Sequence, residues 1–156
     1  MTDIVDGLNY GVSLKYRSGT VTEDTERNRR NLLDTLDRLV AGEQDALWSL
    51  FDPEVVFHEA ECLPYGGSHY GIAAARAAHA TIYQYFDSIL IDLEQVLAAG
   101  DLAIAYATMT YRVRKNGRTG MFTLAEVYRF QGGKVIEWRV HYFDASKVAE
   151  ALAADR

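Results

Sequence analysis

Residues 102–143 read LAIAYATMTYRVRKNGRTGMFTLAEVYRFQGGKVIEWRVHYF, and this stretch decides the fold. Apolar and aromatic side chains recur at every second position, which is the period of a β-strand with one buried face. Asn116-Gly117 and Gly132-Gly133 interrupt the alternation and are typical of hairpin turns. Together with the segment before Gly100-Asp101, the pattern predicts an antiparallel meander. Its strands are Ser88–Ala98, Leu102–Arg114, Gly120–Phe130 and Lys134–Phe143.

The sequence upstream of this meander has helical spacing. One apolar stripe lies on a helix that begins after the capping residue Thr22 and runs to about Val40. The stripe consists of Leu32, Leu33, Leu36, Leu39 and Val40. The other expected elements are a short helix Asp45–Phe51, a strand Val55–His58, a loop Glu59–Tyr70, a helix Gly71–Asp87 and a last helix Ala145–Ala154. Helices segregated from an antiparallel sheet predict an α+β fold, with a pocket between the curved sheet and the long helix.

The first twenty residues differ from the rest of the chain. They lack helical spacing and contain three glycines, so we expect an N-terminal arm over residues 1–20 and one domain over residues 21–156. Leu8, Tyr10, Val12, Leu14 and Tyr16 alternate at period two, which leaves an added edge strand as an alternative.

Composition and charge exclude several classes of protein. The 156 residues carry 16 Lys and Arg against 22 Asp and Glu, and this net charge of −6 repels phosphate backbones, so no nucleic-acid partner is expected. No apolar run reaches the roughly 18 residues of a membrane helix, and no signal-peptide pattern is present. The single cysteine, Cys62, is typical of a reducing compartment. We expect a cytoplasmic protein with no membrane partner.

Three motifs and the order of the elements resemble a known group of proteins. The motifs are VAGEQDALWSLFDPEVVFHE at 40–59, LPYGGSHYG at 63–71 and AEVYRFQGGKVIEWRVHYFD at 125–144. Over roughly residues 25 to 150 the chain resembles the nuclear transport factor 2-like superfamily, and within it the SnoaL-like and ketosteroid isomerase-like enzymes. The resemblance implies a cone-shaped α+β barrel of three helices on a curved sheet, and a homodimer through the outer sheet face. Because the superfamily includes isomerases, dehydratases, cyclases and non-catalytic binding proteins, the fold does not select the function.

Glu59 is the first candidate for proton transfer. It follows Val55 and Phe57 at period two, so a shared inward face would place its carboxyl beside an apolar cavity and raise its pKa. The resemblance implies the same role, since isomerases of this group carry their proton-shuttling carboxylate directly after the first strand. The alternative is a strand-end carboxylate that is solvated or pairs with an arginine.

Glu126 is the second candidate. It lies in mid-strand with Leu124 and Tyr128 on the same face, and the resemblance implies an acid that donates a hydrogen bond to an oxyanion. A simple Gly132-Gly133 turn would instead place it opposite Arg139, and a cross-strand ion pair would then explain both residues.

Histidines supply further candidates because their ordinary pKa suits proton transfer near neutral pH. His141 lies in the last strand and is a possible pocket acid or base, the alternative being a hydrogen-bonded residue at a subunit contact. His58 and Glu59 are neighbours on one strand, so only one of them faces the cavity. His79, on the third helix, is expected to be a surface or helix-contact residue.

No metal or organic cofactor is expected. His58, Glu59, Glu61, Cys62 and His69 are possible metal ligands close in sequence, but their spacing matches no recognised zinc pattern. Gly66 and Gly67 are not followed by the lysine of a phosphate-binding loop and therefore indicate a turn.

The expected ligand is a small apolar or aromatic molecule. Aromatic residues that can line a pocket for such a molecule are Tyr65, Tyr83, Tyr106, Tyr128, Trp138 and Tyr142. The sequence thus supports two hypotheses. The first is a cofactor-independent lyase or isomerase in which Glu59 is the base and Glu126 or His141 polarises an oxygen. The second is a ligand-binding or dimeric interaction module with the same pocket and no chemistry.

Overall fold

The computed structural model describes residues 3–5, 14–16 and 19–155. Its helices are α1 (Glu23–Val40), α2 (Ala46–Leu50), α3 (Ile72–Ile82) and α4 (Ala145–Ala153). Its strands are β1 (Asp3–Val5), β2 (Leu14–Tyr16), β3 (Phe51–Glu59), β4 (Gly67–Tyr70), β5 (Phe86–Ala99), β6 (Leu102–Val113), β7 (Thr119–Gln131) and β8 (Lys134–Tyr142). Within these residues no helix is both long and apolar enough to cross a membrane.

Helix α1 begins where the sequence predicts. The Thr25 N–H donates to the Thr22 side chain over 3.2 Å, and the Thr22 N–H donates to the Thr25 hydroxyl over 3.1 Å. The Thr25 hydroxyl also donates to the Gly100 carbonyl over 3.0 Å, which ties the start of α1 to the β5–β6 turn. Leu32 is fully buried, but Val40 is 90% exposed, contrary to the predicted stripe. Each helical residue turns by about 100°, so Val40, eight residues after Leu32, points about 80° away from the buried side of the helix.

The α+β fold and the four-strand meander are confirmed. The main sheet has six strands in the order β4-β3-β8-β7-β6-β5, and every neighbouring pair is antiparallel except β3 with β8. Alternate residues of β6 point towards the helices and are buried: Ala103, Ala105, Ala107, Met109, Tyr111 and Val113. This side of the sheet, with Leu32, Phe57, Tyr128 and Trp138, forms the main core.

The first strand is longer than predicted, and it has a strand partner that the sequence did not reveal. β3 begins at Phe51 and includes Pro53, which is tolerated because the pairing with β8 is interrupted between Phe51 and Val56. The expected loop Glu59–Tyr70 contains the edge strand β4, in which Gly67 lies opposite Glu59 and Tyr70 opposite Val56. Helix α3 ends at Ile82 instead of Asp87.

The N-terminal residues that the structure describes form a small hairpin. β1 and β2 pair antiparallel with each other, with Asp3 opposite Tyr16. Leu14 and Tyr16 of the alternating pattern therefore lie in a strand, while Leu8, Tyr10 and Val12 lie outside the described residues.

Candidate active site

An internal cavity lies where the sequence predicts it, between the helices and the sheet. Its outer chamber has a volume of about 250 Å³, and a smaller inner chamber of about 50 Å³ continues from it. Both chambers are lined by His79, Tyr83, Ile91, Glu126 and Trp138. Leu36, Leu39, Gln44, Leu47, Trp48 and Tyr128 complete the outer chamber, and Glu59, Ile82, Ile89, Met109, Leu124, Val140 and Tyr142 complete the inner one. Of Glu59 and His58, either of which was predicted to face the cavity, Glu59 lines the inner chamber.

Glu59 is a buried carboxyl at the inner end of this cavity. It is 6% exposed and shares its strand face with the fully buried Val55 and Phe57, so it is not a solvated strand end. Burial raises the pKa of Glu59 to about 8, the nearby Tyr142 hydroxyl opposes part of that rise, and the charge of Glu126 adds to it. Among the described residues, Oε2 of Glu59 and the hydroxyl of buried Tyr65 have no hydrogen-bond partner. A buried carboxyl with this pKa exchanges protons near neutral pH.

Glu126 is the second carboxyl on the cavity wall. Its Oε2 accepts hydrogen bonds from the Tyr128 hydroxyl and from the Trp138 indole N–H, the latter over 3.3 Å. No described residue donates to Oε1. Burial raises the pKa of Glu126, and the two donors only partly offset this rise. A neutral Glu126 therefore presents a carboxylic acid proton on Oε1, where it can bind a ligand oxygen.

The ion pair that was the alternative role for Glu126 does not form. Arg129 lies opposite Glu137 but Phe130 lies opposite Val135, so Ile136 is an extra residue in β8. This bulge shifts the register by one residue, which places Val140 opposite Glu126 and Arg139 opposite Val127. The pairing of Glu126 with Arg139 was therefore wrong. The sequence did not reveal the bulge, because Ile136 is neither a glycine nor a residue typical of turns. Arg139 binds Glu137 on the other face of the sheet.

Of the neighbours His58 and Glu59, only Glu59 faces the cavity. Nδ1 of His58 lies 2.8 Å from the Ser68 hydroxyl and Nε2 lies 3.2 Å from Glu137, both outside the cavity. Burial lowers the pKa of His58, with a further contribution from Arg139. His141 is exposed, opposite Ala125 on the outer sheet face. The structure does not bring either histidine to the cavity with Glu59 and Glu126.

The structure also places the possible metal ligands apart from one another. Glu59 faces inward and His58 outward, and Nε2 of His69 lies 3.3 Å from the Tyr65 carbonyl. Over the described part of the chain, no three His, Cys, Asp or Glu side chains are grouped so that they could hold a metal ion.

Four of the six aromatic candidates line the cavity. Tyr83, Tyr128, Trp138 and Tyr142 do so. Tyr65 is buried next to Tyr142 but does not line either chamber. Tyr106 lies on the outer face of the sheet and is 40% exposed, because Ala105 and Ala107 on either side of it face inward.

His79, expected to be a surface or helix-contact residue, lines both chambers of the cavity. Its ring contacts Trp48, Trp138 and Tyr83, with centroid separations of 5.4, 5.5 and 5.1 Å. Its Nε2 lies 3.4 Å from the Tyr83 hydroxyl. Burial lowers the pKa of His79 to about 4, so the ring is neutral at physiological pH. The position of His79 four residues after the inward-facing Ala75 was the signal that could have identified it.

The comparisons with known proteins agree with this architecture. The family model described as "SnoaL-like domain" matches residues 32–138. No curated protein sequence matches the chain.

Solved structures share the fold at low sequence identity. A nuclear transport factor 2-like protein from Burkholderia thailandensis is 16% identical, with a TM-score of 0.73 over 89% of this chain and 100% of that one. A putative SnoaL-like polyketide cyclase from Jannaschia sp. is 18% identical, with a TM-score of 0.69 over 86% of this chain and 97% of that one. TerC, co-crystallised with polyporic acid, is 16% identical, with a TM-score of 0.70 over 82% of this chain and 99% of that one.

Proposed function

Since this chain belongs to the SnoaL-like domain family, we propose that it is a cofactor-independent lyase or isomerase that transfers protons within its internal cavity. The observation that carries the proposal is the presence of two carboxyl groups, Glu59 and Glu126, on the wall of one cavity. Burial raises the pKa of both, and Glu59, with a pKa of about 8, exchanges protons near neutral pH.

Glu59 is the proposed base. With a pKa of about 8, roughly a tenth of Glu59 is carboxylate at about pH 7, and this fraction is a stronger base than an ordinary glutamate because burial raises the pKa. It removes a proton from the carbon next to a ligand carbonyl. The protonated Glu59 can then return that proton to another carbon, which is isomerisation, or to a leaving hydroxyl, which is elimination.

Glu126 is the proposed acid that polarises the ligand oxygen. Its Oε1 proton donates a hydrogen bond to the carbonyl oxygen and stabilises the negative charge that develops when Glu59 removes the proton. Tyr128 and Trp138 fix the orientation of the carboxyl through Oε2.

The cavity lining favours a small, flat and moderately apolar ligand. The rings of Trp48, Tyr83, Tyr128 and Trp138 and the neutral ring of His79 provide aromatic surface, and the combined volume suits a compact aromatic carbonyl compound. TerC, whose fold this chain shares, has been co-crystallised with a small organic molecule, polyporic acid.

The test is exchange of ligand protons with solvent. Aromatic ketones that bind, as detected by ligand-observed NMR, are incubated with the protein in deuterium oxide, and loss of the proton next to the carbonyl is followed. We expect the native chain to catalyse the exchange and Glu59→Gln to abolish it. Glu61→Gln is the matched control, because Glu61 is an exposed carboxyl close in sequence.

The same experiment separates the proposal from the binding-module hypothesis. A ketone that binds the native chain without any catalysed exchange would support a binding module. Exchange that survives Glu59→Gln would overturn the assignment of Glu59 as the base.

We also propose that the protein is a homodimer through the outer face of the sheet. Leu97 and Tyr106 expose apolar surface on adjacent strands there, and a second copy related by a twofold axis would cover it.

A further inference from the structure

A second, polar depression lies on the other side of Glu59 from the internal cavity. We call it the edge groove. It has a volume of about 350 Å³ and lies beside the ends of β3 and β8 and the start of α4. The described pairing of β3 with β8 ends at His58 opposite Arg139, so the two strands are no longer bonded beyond this point. Its polar wall consists of His58, Glu61, Ser68, Arg139 and His141.

The edge groove and the inner chamber of the cavity share part of their walls. Glu59, Val140 and Tyr142 line both. These three residues therefore lie between the two spaces, and Oε2 of Glu59 is buried without a hydrogen-bond partner among the described residues. An unpartnered buried carboxyl oxygen is stabilised when a small polar molecule reaches it.

The two spaces differ in chemistry. On the groove side, a chain of polar contacts runs from Ser68 through His58 and Glu137 to Arg139. This surface favours water. On the cavity side, Glu59 is surrounded by apolar and aromatic side chains, which favour an organic ligand. The cavity has its own opening at Tyr83 and Ile91, which are 49% and 47% exposed.

We propose that the edge groove is a second entrance, through which water reaches and leaves Glu59 while the organic ligand occupies the cavity. On the basis of the proposed function, a separate water route favours elimination or addition of water over isomerisation. In the elimination direction, the Glu59 carboxylate takes the proton next to the carbonyl, and the enolate oxygen is held by neutral Glu126. The enolate then forms the carbon–carbon double bond and expels the β-hydroxyl group. This group takes the proton back from Glu59 and leaves through the groove as water.

Cysteine labelling tests the entrance without any substrate. The only cysteine, exposed Cys62, is replaced by serine, and Glu59→Cys places a thiol between the two spaces. The probe is methyl methanethiosulfonate, a small neutral reagent, and mass spectrometry gives its rate of reaction. Ser68→Trp obstructs the groove and Ile91→Trp obstructs the cavity opening. Ser68→Ala is the matched control, because it removes the hydroxyl contact with His58 without adding bulk.

We expect Ser68→Trp to slow labelling by about tenfold or more, whereas Ser68→Ala and Ile91→Trp change the rate by less than about threefold, because thiol modification depends on access. Three results would show that the groove is not the entrance. Labelling is slowed by Ile91→Trp alone, by both tryptophan variants, or by neither of them. His141→Trp, at another exposed wall position, gives an independent obstruction if Ser68→Trp does not fold.

A second measurement tests the water step. A β-hydroxy-β-phenyl ketone is incubated with the protein in water labelled with heavy oxygen, and incorporation of label into the β-hydroxyl group is followed. Ser68→Trp is expected to slow incorporation about tenfold, and exchange of the proton next to the carbonyl with solvent should slow as well, because both need water to reach Glu59. Proton exchange without label incorporation in the native chain would overturn the water step but not the proposed function. Failure of Glu59→Gln to reduce proton exchange would overturn the proposed function but not the entrance.

Discussion

Trp138 donates its indole N–H to Oε2 of Glu126 over 3.3 Å, across the β7–β8 ladder. The Tyr128 hydroxyl donates to the same oxygen. Because both protein donors converge on Oε2, the proton of the neutral carboxyl belongs on Oε1. The pair of donors thus determines which Glu126 oxygen can act on a ligand.

The first prediction concerns the pKa of Glu126. Trp138→Phe keeps an aromatic ring but removes one donor to the ionised carboxylate, so the pKa of Glu126 should rise further. Carbon-13 NMR titration of the glutamate carboxyl groups measures this shift, with Glu126→Gln assigning the signal. Trp48→Phe is the control, because Trp48 lines the same chamber and has no hydrogen bond to Glu126. An unchanged pKa in Trp138→Phe would show that the indole N–H does not orient this carboxyl.

The second prediction concerns stability and pH. The pKa of Glu59 is about 8 in the folded chain and 4.5 in the unfolded chain, so between these values the folded state binds more protons. Burial of Glu59 therefore destabilises the folded state increasingly as the pH rises through this window. Glu59→Gln lacks this effect. Its stability relative to the native chain should increase by about 1.4 kcal/mol for each pH unit inside the window.

Urea unfolding at several pH values between 5 and 8 checks this second prediction. Glu61→Gln, at an exposed position, should show no such dependence. A difference between Glu59→Gln and the native chain that stays constant with pH would mean that Glu59 titrates normally in the folded state.

The third prediction concerns the pH dependence of proton exchange. Because Glu59 has to be carboxylate to act as the base, the rate should rise with pH towards about 8. Burial also raises the pKa of Glu126, and its ionisation should lower the rate. The rising limb belongs to Glu59 and not to His79, whose pKa of about 4 keeps it neutral throughout. His79→Phe keeps the aromatic wall, so it should weaken ligand binding but leave the pH of the rising limb unchanged. A shift of that limb in His79→Phe would assign the base to His79 instead.

The sequence allowed the prediction of the sheet and of the burial of Glu59, because both depend on period-two alternation. Val55 and Phe57 require a buried face, and Glu59 follows in register, so the alternation favours an inward Glu59, and the structure excludes the solvated alternative. The same alternation divides β6 into two faces, and the structure shows which of them is buried. These features are local properties of single strands.

The features that the sequence did not reveal depend on contacts between elements. The bulge at Ile136 decides whether Glu126 meets Arg139 or Val140, and only the ladder between β7 and β8 shows it. The strand β4 forms within a segment rich in loop residues because β3 provides a partner. His79 is a cavity residue because Trp48 and Trp138 pack against it from other elements.

The last prediction concerns the homodimer. On the outer face of the sheet, Leu90, Leu97, Tyr106 and Met121 are 67%, 54%, 40% and 72% exposed. The ladders place Leu97 opposite Ile104 and Met121 opposite Thr110, so this apolar surface extends over β5, β6 and β7. Soluble monomers seldom leave such a surface uncovered.

Sedimentation velocity at micromolar concentration should give a species of twice the 17.5 kDa chain mass. Tyr106→Glu places a charge in the middle of the apolar surface and should convert the dimer to monomers without loss of folding, because Tyr106 makes no contribution to the buried core. Tyr70→Glu is the control, since Tyr70 is also an exposed tyrosine but lies on β4 at the opposite edge of the sheet from β5. A native chain that sediments as a stable 17.5 kDa monomer would refute the dimer, and the N-terminal arm would then be the next candidate to cover this surface.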